Sequence, residues 1–190
     1  MVVKEIQTTD ISAELELLCE EYPHFASEVR LQQATGDKLA KVLRGDLDPV
    51  EILFPSGKSI DALSTFYREG GDFAANNDLM GVAVQRLVAS MPERRSIRIL
   101  EVGAGTGSLT GSLLPVLPAH RAEYTFTDTS PAFLMDAKKQ FSAYPFVEYS
   151  TFDIEKPPES QGIDVGGYDL VLATNVVHAT ADLKNSLGNL

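Results

Sequence analysis

Near the start of the chain, apolar side chains recur at helical spacing. Ile11, Leu15 and Leu18 fall at i, i+4 and i+7, and Leu39, Val42 and Leu43 repeat the stripe farther on. This pattern predicts helix from Thr9 to about Arg44. The stretch RGDLDPVEILFPSGKS then interrupts helicity with Gly45, Pro49, Pro55 and Gly57, while Ile52, Leu53 and Phe54 offer an apolar edge that docks this linker onto a core. A further helix is expected over NNDLMGVAVQRLVASM, capped by Asn76 or Asn77, with Leu79, Val82 or Ala83, and Leu87 on one face and Pro92 ending it.

Beyond Pro92 the rhythm changes to short β-rich runs alternating with helical segments. Strands are predicted at 97–103, 124–128, 147–154 and 168–177, with helices from about Thr106 to Leu114 and from Ser130 to Phe141. In the second helix Ser130 supplies the N-cap, Pro131 the first helical residue, and Phe133, Ala137 and Phe141 the inward stripe. Alternating strands and helices imply an α/β fold with a parallel, Rossmann-like sheet. The division expected is a helical cap or lid over residues 1–57 and a ligand-binding core over 58–190.

Composition narrows the function. No apolar run approaches the roughly 20 residues of a membrane helix, and MVVKEIQTTDISAELELL lacks the features of a secretory signal, so a cytoplasmic protein without a membrane partner is expected. The single cysteine, Cys19, excludes an internal disulfide and a cysteine-rich metal site. No carboxylate cluster suggests a metal. Sixteen basic against twenty-seven acidic residues give a net charge of −11, which opposes phosphate neutralisation and disfavours a nucleic-acid substrate.

The candidate chemistry begins at ILEVGAGTGSLT, where the first strand runs into Gly103, Gly105 and Gly107. A dinucleotide fingerprint places its third glycine three positions after the second, and Ser108 stands there. A phosphate-cradling loop of the Walker type needs a Lys-Ser or Lys-Thr pair, which is absent. What remains is acidic-x-Gly-x-Gly-x-Gly, which lets bare backbone approach a nucleoside with a compact zwitterionic tail. S-adenosylmethionine has that form, and Glu101 is expected to meet its ammonium group.

A nucleoside across the strand ends also predicts an acidic residue about 20 residues after the glycines, where a carboxylate accepts bonds from the ribose hydroxyls. Asp128 occupies that place, and Asp153, ending the third strand, is expected to reach the adenine amino group. Ala104, Thr129 and Ile154, beside these residues, complete the expected cofactor shell. The alternatives are a helix cap near Ser130 for Asp128 and a turn role for Asp153.

ILEVGAGTGSLT, YTFTDTSPAFL, YPFVEYSTFDIE and YDLVLATNVVHAT together resemble the C-methyltransferase domains of modular polyketide synthases, within the class I S-adenosylmethionine-dependent methyltransferases. The upstream VLRGDLDPVEILFPSG and FYREGGDF resemble the lead-in to that core, so the likeness runs from about Lys38 to the end. It implies methylation of the α-carbon of a β-ketoacyl chain tethered by phosphopantetheine to an acyl carrier protein, among neighbouring synthase domains, with S-adenosylhomocysteine as product. It assigns the general base to His178. An imidazole titrates near neutrality and suits proton abstraction; a cap or a solvent-facing side chain is its bland alternative. Asn175 is expected to position the methionine end of the cofactor.

The chain stops at ADLKNSLGNL, partway through the helix after the fourth strand. The resemblance therefore implies a C-terminal truncation: three later strands are expected to be missing, as is the glutamate that pairs with the family's histidine, which would leave this chain alone inactive. The fourth strand is then expected to present a free sheet edge. Two further readings are a non-catalytic remnant within a synthase and a free-standing methyltransferase acting on a small molecule.

Overall fold

The computed structural model describes residues 10–53, 65–67 and 70–190. The chain divides into two units, Met1–Ala74 and Ala75–Leu190.

The described residues of the first unit are mostly helical, with two helices where the apolar spacing predicts one from Thr9 to about Arg44. Helix α1 (Ile11–Glu21) starts where the Asp10 carboxylate accepts from the backbone N–H groups of Ser12 and Ala13, at 3.1 and 3.3 Å. Pro23 ends it, and α2 (Ala26–Leu43) follows after one 3₁₀ turn. The linker is partly helical, because Val50–Leu53 forms the short helix α3. Of its expected docking residues, Ile52 is half-buried, the Leu53 side chain is not described, and Phe54 lies outside the described residues. Phe66, Tyr67 and Phe73 pack edge to face, with centroids 5.0 to 5.3 Å apart.

Helix α4 (Gly71–Ser90) begins before the expected cap, so Asn76 and Asn77 lie inside it. Its inward face also differs from the expected one. Asn77, Val84 and Val88 are buried, whereas Leu79, Val82 and Leu87 are exposed, Leu79 by 69%. Both stripes have helical period, so hydropathy alone does not choose between them. The rotation is set by Asn77, whose Nδ2 donates to Ser108 Oγ at 2.8 Å and turns that face inward.

The sheet has four parallel strands in the order β3-β2-β1-β4: β1 (Ile97–Glu101), β2 (Ala122–Asp128), β3 (Val147–Thr151) and β4 (Leu170–Leu172). Helices α5 (Ser108–Leu113) and α6 (Pro131–Gln140) follow β1 and β2, and α7 (Leu183–Gly188) follows β4. Successive side chains of a strand face opposite sides, and β1 divides accordingly. Ile97 and Ile99 enter a core with Val84, Val88, Leu113, Tyr124, Phe126 and Phe141, whereas Leu100, with Val102 just past the strand, enters a second core with Phe152, Ile154 and Ile163. Burial on both faces is the pattern of a central strand in a parallel sheet.

Each strand is in the predicted place with altered ends. β4 shows the largest difference, three residues against the ten of 168–177: its pairing with β1 ends at Leu172, and Asn175 farther on adopts φ 56°, outside extended backbone. On α6 the inward stripe is Leu134, Ala137 and Phe141, with Phe133 half-buried; Leu134 takes the place expected of Phe133. Among the described residues β4 pairs with β1 alone and forms the sheet edge.

Candidate functional site

The carboxyl ends of parallel strands leave unpaired backbone facing one edge, and the glycine loop fills that edge above β1 and β2. Val102 N–H donates to the Leu172 carbonyl and Ala104 N–H to the Thr127 carbonyl, both at 2.8 Å. Gly103, Gly105 and Gly107 all have positive φ, at 60°, 55° and 74°. Their reasons for being glycine differ. A Cβ on Gly103 would lie 2.4 Å from Val176 Cγ2, and one on Gly107 would lie 2.6 Å from Phe141 Cε2. At Gly105 the nearest such atom is the Gly103 carbonyl oxygen, at 3.9 Å. Two glycines thus serve packing, and Gly105 fronts open space.

Asp128 is buried beside that space. Its Oδ2 accepts from Gly105 N–H at 3.0 Å and its Oδ1 from Ser130 N–H at 2.8 Å. The bond to Ser130 N–H closes a turn just ahead of α6, whose N-cap residue Ser130 makes no side-chain capping bond of its own. Thr129, next in the chain, is exposed.

Glu101 is turned toward the interior. Its Oε2 accepts from Thr110 Oγ1 at 2.5 Å and from Tyr124 Oη at 2.7 Å. Burial disfavours the carboxylate and pushes its pKa up to about 7, against the lowering effect of the two hydroxyl donors. Thr110 and Tyr124 are residues that the sequence reading missed. A polar residue on the buried face of α5, fully enclosed, is the signal that marks Thr110.

Beyond β3, Asp153 Oδ1 accepts from Glu155 N–H and its Oδ2 pairs with Lys156 Nζ, each at 3.0 Å. The lysine bond, then the backbone bond, lowers its pKa. Gln161 fixes the same turn, with Oε1 accepting from Asp153 N–H and Nε2 donating to the Asp153 carbonyl, at 2.8 and 2.9 Å. Ile154 is buried in the second core.

Beyond β4, Asn175 is exposed and is the one non-glycine residue with positive φ among those described. Such a conformation costs about 1 kcal/mol or more and persists only where its surroundings hold it. His178 follows in the 3₁₀ turn Val177–Ala179, exposed and with no side-chain partner among the described residues. The structure therefore joins Gly105 to Asp128 and packs Val176 under Gly103, while the Glu101 and His178 side chains bond to none of the other expected site residues. Among the described residues no group of His, Cys, Asp and Glu is placed to hold a metal ion, and no helix is long and apolar enough to cross a membrane. A bare backbone position facing open space beside a buried carboxylate fits a nucleoside cofactor.

Residues 100–190 match the family described as a methyltransferase domain. The chain is 42% identical over 177 residues to the non-reducing polyketide synthase pkiA of Emericella nidulans, an alignment covering 90% of this chain and 7% of that protein. In solved structures it resembles the CurJ carbon methyltransferase, at 36% identity and a TM-score of 0.88, covering 96% of this chain and 48% of that one. It likewise resembles the CMeT domain of the citrinin polyketide synthase, at 33% identity and a TM-score of 0.87, covering 97% and 49%. The chain thus spans about half the length of these solved chains and a small part of the curated relative.

Proposed function

We propose, from the premise that this chain belongs with the S-adenosylmethionine-dependent carbon-methyltransferase domains of polyketide synthases, that it methylates the α-carbon of a β-ketoacyl chain carried on an acyl carrier protein. The observation that carries this reading is the open backbone at Gly105, held by the buried Asp128 carboxylate. Asp128 keeps lone pairs on both oxygens for the ribose hydroxyls, and its two N–H bonds fix their direction before a ligand arrives. Ala104 and Thr129 flank this contact, Asp153 and Ile154 border the adenine end, and Asn175 belongs to the methionine end, whereas Glu101, expected there, is enclosed by Thr110 and Tyr124 and supports the exit of β1 from behind.

When bound, the cofactor supplies an electrophilic methyl group at its sulfonium sulfur. The chain's own task is then to generate a carbon nucleophile. His178 accepts the α-proton of the β-ketoacyl group on an imidazole nitrogen, leaving the electron pair on the α-carbon, conjugated with the two carbonyls. Its exposed place after β4, at the carboxyl edge where open α/β sheets bind ligands, leaves room for a tethered acyl chain. The setting is proposed to be a cytoplasmic synthase with neighbouring domains, free of membrane and nucleic-acid partners.

The test is calorimetric titration of the chain with S-adenosylhomocysteine, followed by a methyl-transfer assay on a β-ketoacyl thioester with and without carrier protein. A dissociation constant of about 1 to 100 μM with carrier-dependent transfer is the expected result. Binding without transfer favours a cofactor-binding remnant. Transfer without the carrier favours a free-standing enzyme.

A further inference from the structure

Asp153 and His178 follow strands at opposite edges of the sheet. With β2 and β1 between them, β3 and β4 lie about 14 Å apart at ordinary strand spacing. Their exits nonetheless meet. After β3 the chain turns back across one face, where Phe152 and Ile154 pack with Leu100 of β1 and Val102 just past it, against Val176. This path brings Glu155 to the segment that follows His178.

Three side-chain bonds close the meeting point. Glu155 Oε1 accepts from Ala181 N–H at 2.6 Å. From α7, Asn185 Nδ2 donates to the Glu155 carbonyl at 3.0 Å, and from its C-cap Asn189 Nδ2 donates to the Ile154 carbonyl at 2.8 Å. The start of α7 is fixed in turn by Asp182, whose Oδ1 accepts from Asn185 N–H at 3.0 Å. On the other side, Glu155 donates its own N–H to Asp153 Oδ1. The bonds run without a gap from the Asp153 carboxylate, through Glu155, to a backbone group three residues past His178.

Anchoring the segment needs only the two asparagines, which hold its carbonyls. The Glu155 carboxylate adds a bond that reaches beyond α7 to the exit of the histidine turn. We propose that Glu155 is a positioning residue, whose carboxylate couples the cofactor site at Asp153 to the placement of His178. The inference rests on the functional reading above and extends it to a residue outside the expected site. An exposed glutamate whose carboxylate makes one backbone bond contributes little to stability, so its removal loosens the segment at Ala181 that follows His178 and leaves the fold intact.

The test follows the imidazole C–H resonance of His178 by NMR during titration of the chain with S-adenosylhomocysteine. With three histidines in the chain, a His178→Gln variant assigns it. In the unsubstituted chain the resonance moves on binding. In Glu155→Ala most of that movement is lost and affinity falls about three- to tenfold, while Glu155→Gln, which keeps an acceptor oxygen, restores both. Hydrogen exchange at Ala181 N–H gives a second measure, accelerated in Glu155→Ala and slow again in Glu155→Gln. Equal movement of the His178 resonance in Glu155→Ala and the unsubstituted chain overturns the coupling and leaves the cofactor reading standing. Absence of binding by the folded, unsubstituted chain overturns the cofactor reading, and the coupling with it.

Discussion

The exits of β1 and β2 differ in kind from the exits of β3 and β4. At the first pair the loop is tied into the fold at each step: Ala104 with Thr127, Gly105 with Asp128, Gly103 against Val176 and Gly107 against Phe141. At the second pair the side chains face outward, Asp153 in an ion pair with Lys156, Asn175 and His178 exposed. One half is a cradle finished before a ligand arrives, and the other still has order to gain. Preorganised contacts lower the cost of binding, so the larger part of the cofactor's affinity should come from the first pair of exits and the acceptor's selectivity from the second.

The largest test of this contrast lies at Gly107. An alanine there keeps a positive φ and places its Cβ against the Phe141 ring, within a core that also holds Phe126. Backbone strain and overpacking together should cost about 3 kcal/mol or more in urea unfolding. At Gly105 only the strain applies, so Gly105→Ala should cost about 1 to 2 kcal/mol yet lose most S-adenosylhomocysteine binding. Equal stability losses at the two sites would mean that the glycines do not divide into packing and ligand positions.

Glu101 gives the next effect. Its folded pKa of about 7 lies above its ordinary value of 4.5. The stability this group carries is fully present below about pH 4.5 and is lost as pH rises through 7, by roughly 3 kcal/mol. Glu101→Gln keeps an acceptor for Thr110 and Tyr124 without the charge. The difference in unfolding free energy between the two chains should therefore change across that window and level off above it. A difference that stays flat would mean that Glu101 is ionised in the fold, and that this end of β1 is less closed than its burial indicates.

The same division explains what was legible in the sequence. Strand-and-helix alternation and three glycines at fixed spacing are local signals, and they placed the sheet, the loop and Asp128. The inward face of α4 was not legible, because its two apolar stripes have the same period and the choice falls to Asn77, which reaches Ser108 across 31 positions. Nor was the surrounding of Glu101, whose partners Thr110 and Tyr124 come from a helix and a neighbouring strand. A strand-end carboxylate looks the same in sequence whether it faces a ligand or the core. The bonds around Glu155 escaped for a similar reason, since they join segments that only the fold brings together.

Asp128 tests the cradle itself. Alanine removes a buried acceptor of two N–H bonds and the expected partner of the ribose, so affinity for S-adenosylhomocysteine should fall roughly 10- to 100-fold by calorimetry. Asp128→Asn keeps one oxygen and should fall between. An unchanged affinity in the alanine variant would move the ligand away from this edge.

The smallest expected effect belongs to His178 and bears on stability alone. The turn around it is held by backbone and by a threonine: Ala179 N–H donates to the Val176 carbonyl at 2.9 Å and Thr180 Oγ1 to the Val177 carbonyl at 2.8 Å. The imidazole contributes to none of these bonds and is exposed, so His178→Ala should change unfolding free energy by no more than about 0.5 kcal/mol, while abolishing methyl transfer wherever transfer is measured. A loss above about 1 kcal/mol would make the histidine part of the scaffold. The exits of β3 and β4 would then be bound into the fold no less tightly than those of β1 and β2, and the contrast between a finished half and an open half would fail.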